Sequence, residues 1–240
     1  MKKTVLLASL ILLVCGSLAA FETTKTLSLP VEGLKDLEIR AGAGSLTVTG
    51  REGLSAIEVK AEIVARHVRE EDMDDYLKDR VELVLEKRGD SAVLVSRVRE
   101  RFRLFNFDGD AVINLTVSVP KTLPLDIDDG SGSLVAEDLA RVKIDDGSGS
   151  IRVARIAGDV TVDDGSGEIE ILDVAGNVSV DDGSGELTIR RVGGTVTVDD
   201  GSGGIDIDDV ARDVRLINTG SGGVDVSNVK GKVIRSAQAA

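Results

Sequence analysis

Asp163-Asp164-Gly165-Ser166-Gly167 closes one unit of a repeat, and the same five residues begin again at Asp128, Asp145, Asp181 and Asp199, with an altered copy from Asn218 to Gly222. The first glycine of each copy is Gly130, Gly147, Gly165, Gly183, Gly201 or Gly220, so successive copies lie 17, 18, 18, 18 and 19 residues apart. A period this short and regular marks a stacked-repeat architecture. Apolar residues recur four and six places after that glycine (Ile169 and Ile171; Leu187 and Ile189; Ile205 and Ile207) and again at nine (Val174, Val192, Val210). Two more precede the next Asp pair (Val160 and Val162; Val178 and Val180; Val196 and Val198). Each unit therefore holds two short alternating strands, parted by a turn such as Val174-Ala175-Gly176-Asn177.

One such unit cannot cover its own apolar face. Stacking units at the ~4.8 Å strand spacing buries a continuous core and pairs each backbone with its neighbours. The expected fold is all-β, a single-stranded β-solenoid of about 18-residue coils. Five inward columns of Val, Ile and Leu, each side chain contributing roughly 1.5–3 kcal/mol when fully buried, oppose the ordering entropy. The 17- and 19-residue intervals are expected to be absorbed in turns or a bulge. Gly165, Gly167 and their equivalents are expected to supply a positive-φ corner.

Stacking in register places Asp128, Asp145, Asp163, Asp181 and Asp199 in one column and Asp129, Asp146, Asp164, Asp182 and Asp200 in a second, both expected along an outer corner. Carboxylates ~4.8 Å apart repel by only about 0.9 kcal/mol in bulk water, so such columns are tolerable. Two roles suit them. They cap backbone N–H groups as Asx-turns do and keep the protein soluble, or they form a calcium ladder, since closely repeated oxygen ligands suit that cation. The pentapeptide lacks the alternating acids and distal glutamate of an EF-hand loop, and it is not the glycine-rich nonapeptide of calcium-binding β-rolls. No other cofactor is expected.

The formal net charge of −13 repels phosphate backbones, which argues against nucleic acid and favours cations or basic partners. With 42% apolar residues, 2% aromatic residues and 27 glycines, the chain is too hydrophobic for a disordered tail and reads as one folded, aromatic-poor, β-rich domain. Lys2 and Lys3, an apolar run from Val5 to Val14 and small residues at Gly16, Ser17, Ala19 and Ala20 read as a signal peptide over residues 1–20. The run is too short for a useful membrane span, and no transmembrane segment is expected in the mature chain. Leu12-Leu13-Val14-Cys15 resembles a lipoprotein acylation box, but Val14 sits where a small residue is expected, so cleavage after Ala19 or Ala20 is preferred to anchoring through Cys15. The mature protein then has no cysteine, hence no disulfide, and is expected in the periplasm or at the cell surface.

Residues 21–120 read as a strand-rich region capping the solenoid of residues 121–235, with a tail over 236–240. Leu27 and Leu29, Leu37 and Ile39, Leu46 and Val48, and Ile57 and Val59 alternate as half-buried strands do, and Ala41-Gly42-Ala43-Gly44-Ser45-Leu46-Thr47-Val48 reads as a degenerate repeat without its aspartates. Met73, Tyr76 and Leu77 take helical spacing between Arg69 and Arg80. A hairpin is expected about Gly89-Asp90, where Arg88-Gly89-Asp90 spells a cell-attachment tripeptide that a chain rich in these residues produces by coincidence. Beyond it Arg97, Arg99, Arg101 and Arg103 alternate with Val98, Glu100, Phe102 and Leu104, which places four guanidinium groups on one strand face. That face reads either as a patch for an anionic envelope polymer or acidic partner or, more plainly, as a solvated surface paired with Glu82 and Glu86.

Val117-Ser118-Val119-Pro120 leading into Leu125-Asp126-Ile127, followed by Gly-Ser-Gly-x-Ile-x-Ile-x-x-Val-x-Gly units behind a signal peptide, resembles the bacterial "putative adhesin" family of β-strand-repeat envelope proteins of unknown function. The resemblance spans about Leu27 to Arg235 and implies architecture, with no catalytic residues carried over. An enzyme finds little here, with one histidine, His67, and no mature cysteine. Paired acids are the means of a carboxylate-dependent polysaccharide-active enzyme, but an active site needs a unique constellation and these acids repeat in every coil. The sequence favours a non-enzymatic, adhesin-like binding or scaffold protein that presents a repetitive acidic face to a glycan or an envelope protein. Calcium binding or self-assembly through end-to-end homo-oligomers is the alternative, since the last coil leaves an open strand edge.

Overall fold

The computed structural model describes residues 11–12, 21–66, 68, 72–99 and 111–236. The N-terminal half runs β1 (Ile11–Leu12), β2 (Phe21–Pro30), β3 (Asp36–Ala43), β4 (Leu46–Arg51), β5 (Ala56–Ala65), α1 (Met73–Arg80), β6 (Val81–Arg88), β7 (Ser91–Val98) and β8 (Ala111–Pro120). Of the expected signal peptide, the described part pairs antiparallel with Thr23 and Thr24 on β2. The helix falls where its spacing placed it, with Met73 and Leu77 buried.

From β9 (Leu125–Glu137) onward the chain winds regularly, each coil a short strand followed by a longer one. These are β10 (Val142–Asp146) and β11 (Gly149–Ile156), β12 (Val160–Asp164) and β13 (Gly167–Val174), β14 (Val178–Asp182) and β15 (Gly185–Val192), β16 (Val196–Asp200) and β17 (Gly203–Val210), then β18 (Val214–Thr219), β19 (Val224–Val229) and β20 (Val233–Arg235). Short strands stack in parallel on short and long on long, so Val160 lies over Val178 and Ile169 over Leu187. Alternation turns five apolar positions per coil inward. Ile169, Ile171 and Val174 come from the long strand, Val160 and Val162 from the short, all at 1% exposure or less. The two sheets share one continuous core.

Both irregular intervals are absorbed as expected. Leu139 is matched with Ile156 and Val142 with Val160, so the residue missing from the 17-residue interval is lost in the turn, where Ala140-Arg141 replaces Ala157-Gly158-Asp159. In the 19-residue interval the register slips between Val198 and Asp199, and Ile217 is the extra residue, bulged outward and 50% exposed.

The corner glycines differ from the expectation that both take positive φ. The second does: Gly167 has φ 152°, and a Cβ there would overlap the carbonyl oxygen of Gly149 in the neighbouring coil. The first, Gly165, shows no such φ. It must be glycine because a Cβ would crowd the Gly147 carbonyl oxygen in the coil beside it.

The degenerate repeat at Ala41–Val48 is a true coil. β3 and β4 stack in parallel on β9, with Ile39 opposite Ile127 and Leu46 opposite Leu134. On its other side the same coil meets β7 and β8, with Ile39 opposite Leu94 and Leu46 opposite Leu115. A coil that comes early in the chain is thus held between two that come later. Antiparallel additions finish that end, β6 on β7 in one sheet and β5 then β2 on β8 in the other.

Candidate functional site

The two aspartate columns do not share a surface. In β12 the residues at Val160, Val162 and Asp164 fall on one side and those at Thr161 and Asp163 on the other, because strand side chains alternate. The first column is outward: Asp128, Asp145, Asp163 and Asp181 are exposed and Asp199 partly so. The second, expected at the outer corner, is inward instead. Asp129, Asp146, Asp164, Asp182 and Asp200 are 3, 3, 2, 1 and 1% exposed. The two members of a pair face opposite sides of the sheet and cannot chelate one ion together. No group of three or more His, Cys, Asp or Glu among the described residues is arranged to hold a metal.

The inward aspartates share one line with their register partners, Asp146 between Asp129 and Asp164, and Asp182 between Asp164 and Asp200. The line is continued by Ala41 and then the buried Ser96 at one end and by Thr219 at the other. In three coils the carboxylate makes the expected Asx-type cap. The Ser166, Ser184 and Ser202 N–H groups donate to Oδ1 of Asp164, Asp182 and Asp200 at 3.3, 3.0 and 3.0 Å. The Oδ2 atoms of these three are buried without a partner, as are both carboxyl oxygens of Asp129 and of Asp146.

Burial pushes the Asp129 carboxyl up to about 7, helped by the charge of Asp146, while the nearby Gly130 N–H pulls the other way. Burial likewise raises Asp164 and Asp182 to about 6, with Asp146 adding to the first and Asp200 to the second. Asp146 and Asp200 shift upward too, again chiefly through burial.

The outer face of the long-strand sheet carries a second ladder that the sequence reading missed. Asp138, Arg155, Asp173, Arg191, Asp209 and Asn228 occupy one position of successive coils, and all six take left-handed φ between 51° and 61°. Charges alternate along much of that line. Arg155 donates to Asp138 at 2.8 Å and Arg191 to Asp173 at 2.5 Å, which holds both carboxyls below their ordinary range. Its signal was in the sequence, as the eighth residue after each first glycine. The turns carry a third line, where Asp159 accepts from the Asn177 N–H at 2.8 Å and Asn177 accepts from the Thr195 N–H at 2.9 Å.

Of the arginine face, Arg97 and Arg99 both lean on Glu82, at 2.7 and 3.3 Å, whereas Glu86 is taken by Arg88 at 2.7 Å. Arg101, Arg103 and His67 lie outside the described residues. In the cell-attachment tripeptide, Gly89 makes the hairpin turn at φ 67°, Arg88 holds Glu86, and Asp90 pairs with Lys35 at 2.5 Å. A groove of about 650 Å³ lies where the arginine face meets the head of the outward column, lined by Arg40, Arg88, Arg97, Glu38, Glu82 and Asp128 among others.

No protein-family model matches the chain, and no curated protein matches it. Solved structures similar over 90% of this chain include a "putative cell adhesion protein" from Clostridium sporogenes, 14% identical, covered over 100% of its length with a TM-score of 0.32. A "putative adhesin" from Parabacteroides distasonis is 10% identical, covered over 98%, with a TM-score of 0.35. A "putative lipid binding protein" from the same species is 10% identical, covered over 95%, with a TM-score of 0.30. Two of these three carry the adhesion name that the repeats resemble. At such identities and scores the names remain those of the neighbours. No helix among the described residues is long and apolar enough to cross a membrane.

Proposed function

We propose that the protein is an exported, non-enzymatic β-solenoid of the cell envelope that binds, in the manner of an adhesin or scaffold, through the repetitive acidic face of its short-strand sheet. The observation that carries this reading is the outward column of Asp145, Asp163, Asp181 and Asp199. These side chains form no hydrogen bond or ion pair among the described residues, whereas Asp138, Asp173 and Asp206 on the other sheet are matched with arginines. Lys143, Thr161, Ser179 and Thr197 stand beside the column in the same register. Identical groups one coil apart suit a polymer with its own repeat, since weak contacts sum along the two. Hydroxyl-rich glycan and a cation-bearing envelope protein both offer donors to such a row.

The test is retention on purified cell-wall glycan and on a glycan array, comparing the native protein with an Asp145→Ser, Asp163→Ser, Asp181→Ser variant. Native retention that falls more than about tenfold in the variant is expected, because three contacts of about 0.5–1 kcal/mol each are removed. A native protein that retains nothing overturns the reading. The substitutions are exposed, so circular dichroism is expected to be unchanged.

A further inference from the structure

The inward column is a different object from the outward one, and its chemistry is independent of any ligand on the surface. Five carboxyls stand one above another at the ~4.8 Å spacing of strands, buried in coils whose other buried side chains are mostly aliphatic, Ile144, Val162 and Ile169 among them. Seven of their ten oxygens, including both on Asp129 and both on Asp146, are buried with no hydrogen-bond partner. Five ionised carboxylates cannot persist there, because each carries a desolvation cost and repels its neighbours. A proton on every second group removes the repulsion and provides an O–H donor to turn toward the next unpartnered oxygen.

We propose that Asp129, Asp146, Asp164, Asp182 and Asp200 form a proton-binding ladder inside the solenoid, partly protonated near neutral pH, which tightens the fold in mild acid and loosens it in base. The proton is taken from solvent as the chain folds, and no other reactant is needed.

The acidic groups on the outer side of the same strands act in this direction, and the base on that side, Lys143, is exposed to solvent. Asp128, Asp145, Asp181 and Asp199 press from the outer side of the same strands. Along the line itself Ala41 and Thr219 carry no charge, and the residues that the long strands bury, Ile151, Ile169, Leu187 and Ile205 among them, are apolar. Arg40, next to Ala41 at the column's head, is bound to Glu38 and feels Asp128 on the outside. Of the five, Asp129, Asp164 and Asp182 have the values given above, about 7, 6 and 6, against 3.8 in an unfolded chain. Between those limits the folded state holds protons that the unfolded state has released. Stability is therefore highest below that window and is lost as pH rises through it.

The experiment is thermal unfolding of the full chain from pH 5.5 to 8.5, with infrared spectroscopy for the carbonyl band of a buried protonated carboxylic acid. The expected result is a Tm that falls by on the order of 5–10 °C across the range, an acid band present at pH 6, and a marked weakening of both in an Asp129→Asn, Asp146→Asn, Asp164→Asn variant, which keeps only Asp182 and Asp200 of the ladder. Asp145→Asn and Asp163→Asn on the outward column are expected to leave both signals in place. If the inward variant does not fold, the band in the native protein still decides. A flat Tm without an acid band overturns the proposal, and so does a native Tm raised at pH 8 by calcium and restored by chelator, which would mean a cation fills the column. Loss of glycan retention in the outward-column variants leaves this result unchanged, so the two proposals fail separately.

Discussion

Gly167 shows how little freedom a single position has once coils are stacked. Its φ of 152° and the overlap of any Cβ with the Gly149 carbonyl oxygen make Gly167→Ala strained both in dihedral and in contact. The expected loss is above about 3 kcal/mol, read as a lower urea midpoint or as failure to accumulate folded protein. Arg191 makes the opposite case. Its pair with Asp173 is about half exposed, and its φ of 60° suits glycine better than arginine. Arg191→Gly exchanges a surface pair of at most about 1 kcal/mol for relief of a similar size, so a change within about 0.5 kcal/mol is expected. Arg191→Val puts a β-branched side chain at the same φ and is expected to cost clearly more. Parallel urea titrations of the two variants check this. The inward turn of Asp164 was also readable, since Val160-x-Val162-x-Asp164 is one unbroken alternation. The expectation of an outer corner went wrong by treating the Asp pair as a turn when it still belongs to the strand.

Among the coils, turns forgive changes in length and strands do not. The two-residue turn Ala140-Arg141 already does the work of three elsewhere. Inserting one glycine between them is expected to cost under about 1 kcal/mol, the order of a small change in loop length. Inserting one residue between Thr161 and Val162 moves Asp163 inward and takes Asp164 off the inward line, because the side-chain period is two. That variant is expected to lose cooperative unfolding in a thermal melt. Strand positions and turn lengths were legible because every coil repeats the same apolar spacing. The left-handed line from Asp138 to Asn228 was not, because arginine and aspartate at one position read as ordinary surface charge until the backbone shows them stacked.

As an assembly, the regular part behaves as a one-dimensional array. Removing Gly165 to Asp182 joins Asp164 to Gly183 and deletes one coil while keeping every register that remains. The shortened protein is expected to fold with the same circular dichroism shape, with a denaturant m-value reduced roughly in proportion to the surface lost. The order of coils at the head was the part of the architecture that could not be read. β3 and β4 carry the same alternation as several other strands, and nothing local says that they sit between β7–β8 and β9 rather than at the end.

That placement constrains assembly in time. Until Leu125 to Glu137 has been synthesised, one flank of the Asp36–Arg51 winding has no strand to dock on, and unsatisfied amides line it. The beginning of the chain therefore waits for a later segment to arrive before its own coil can close on both sides.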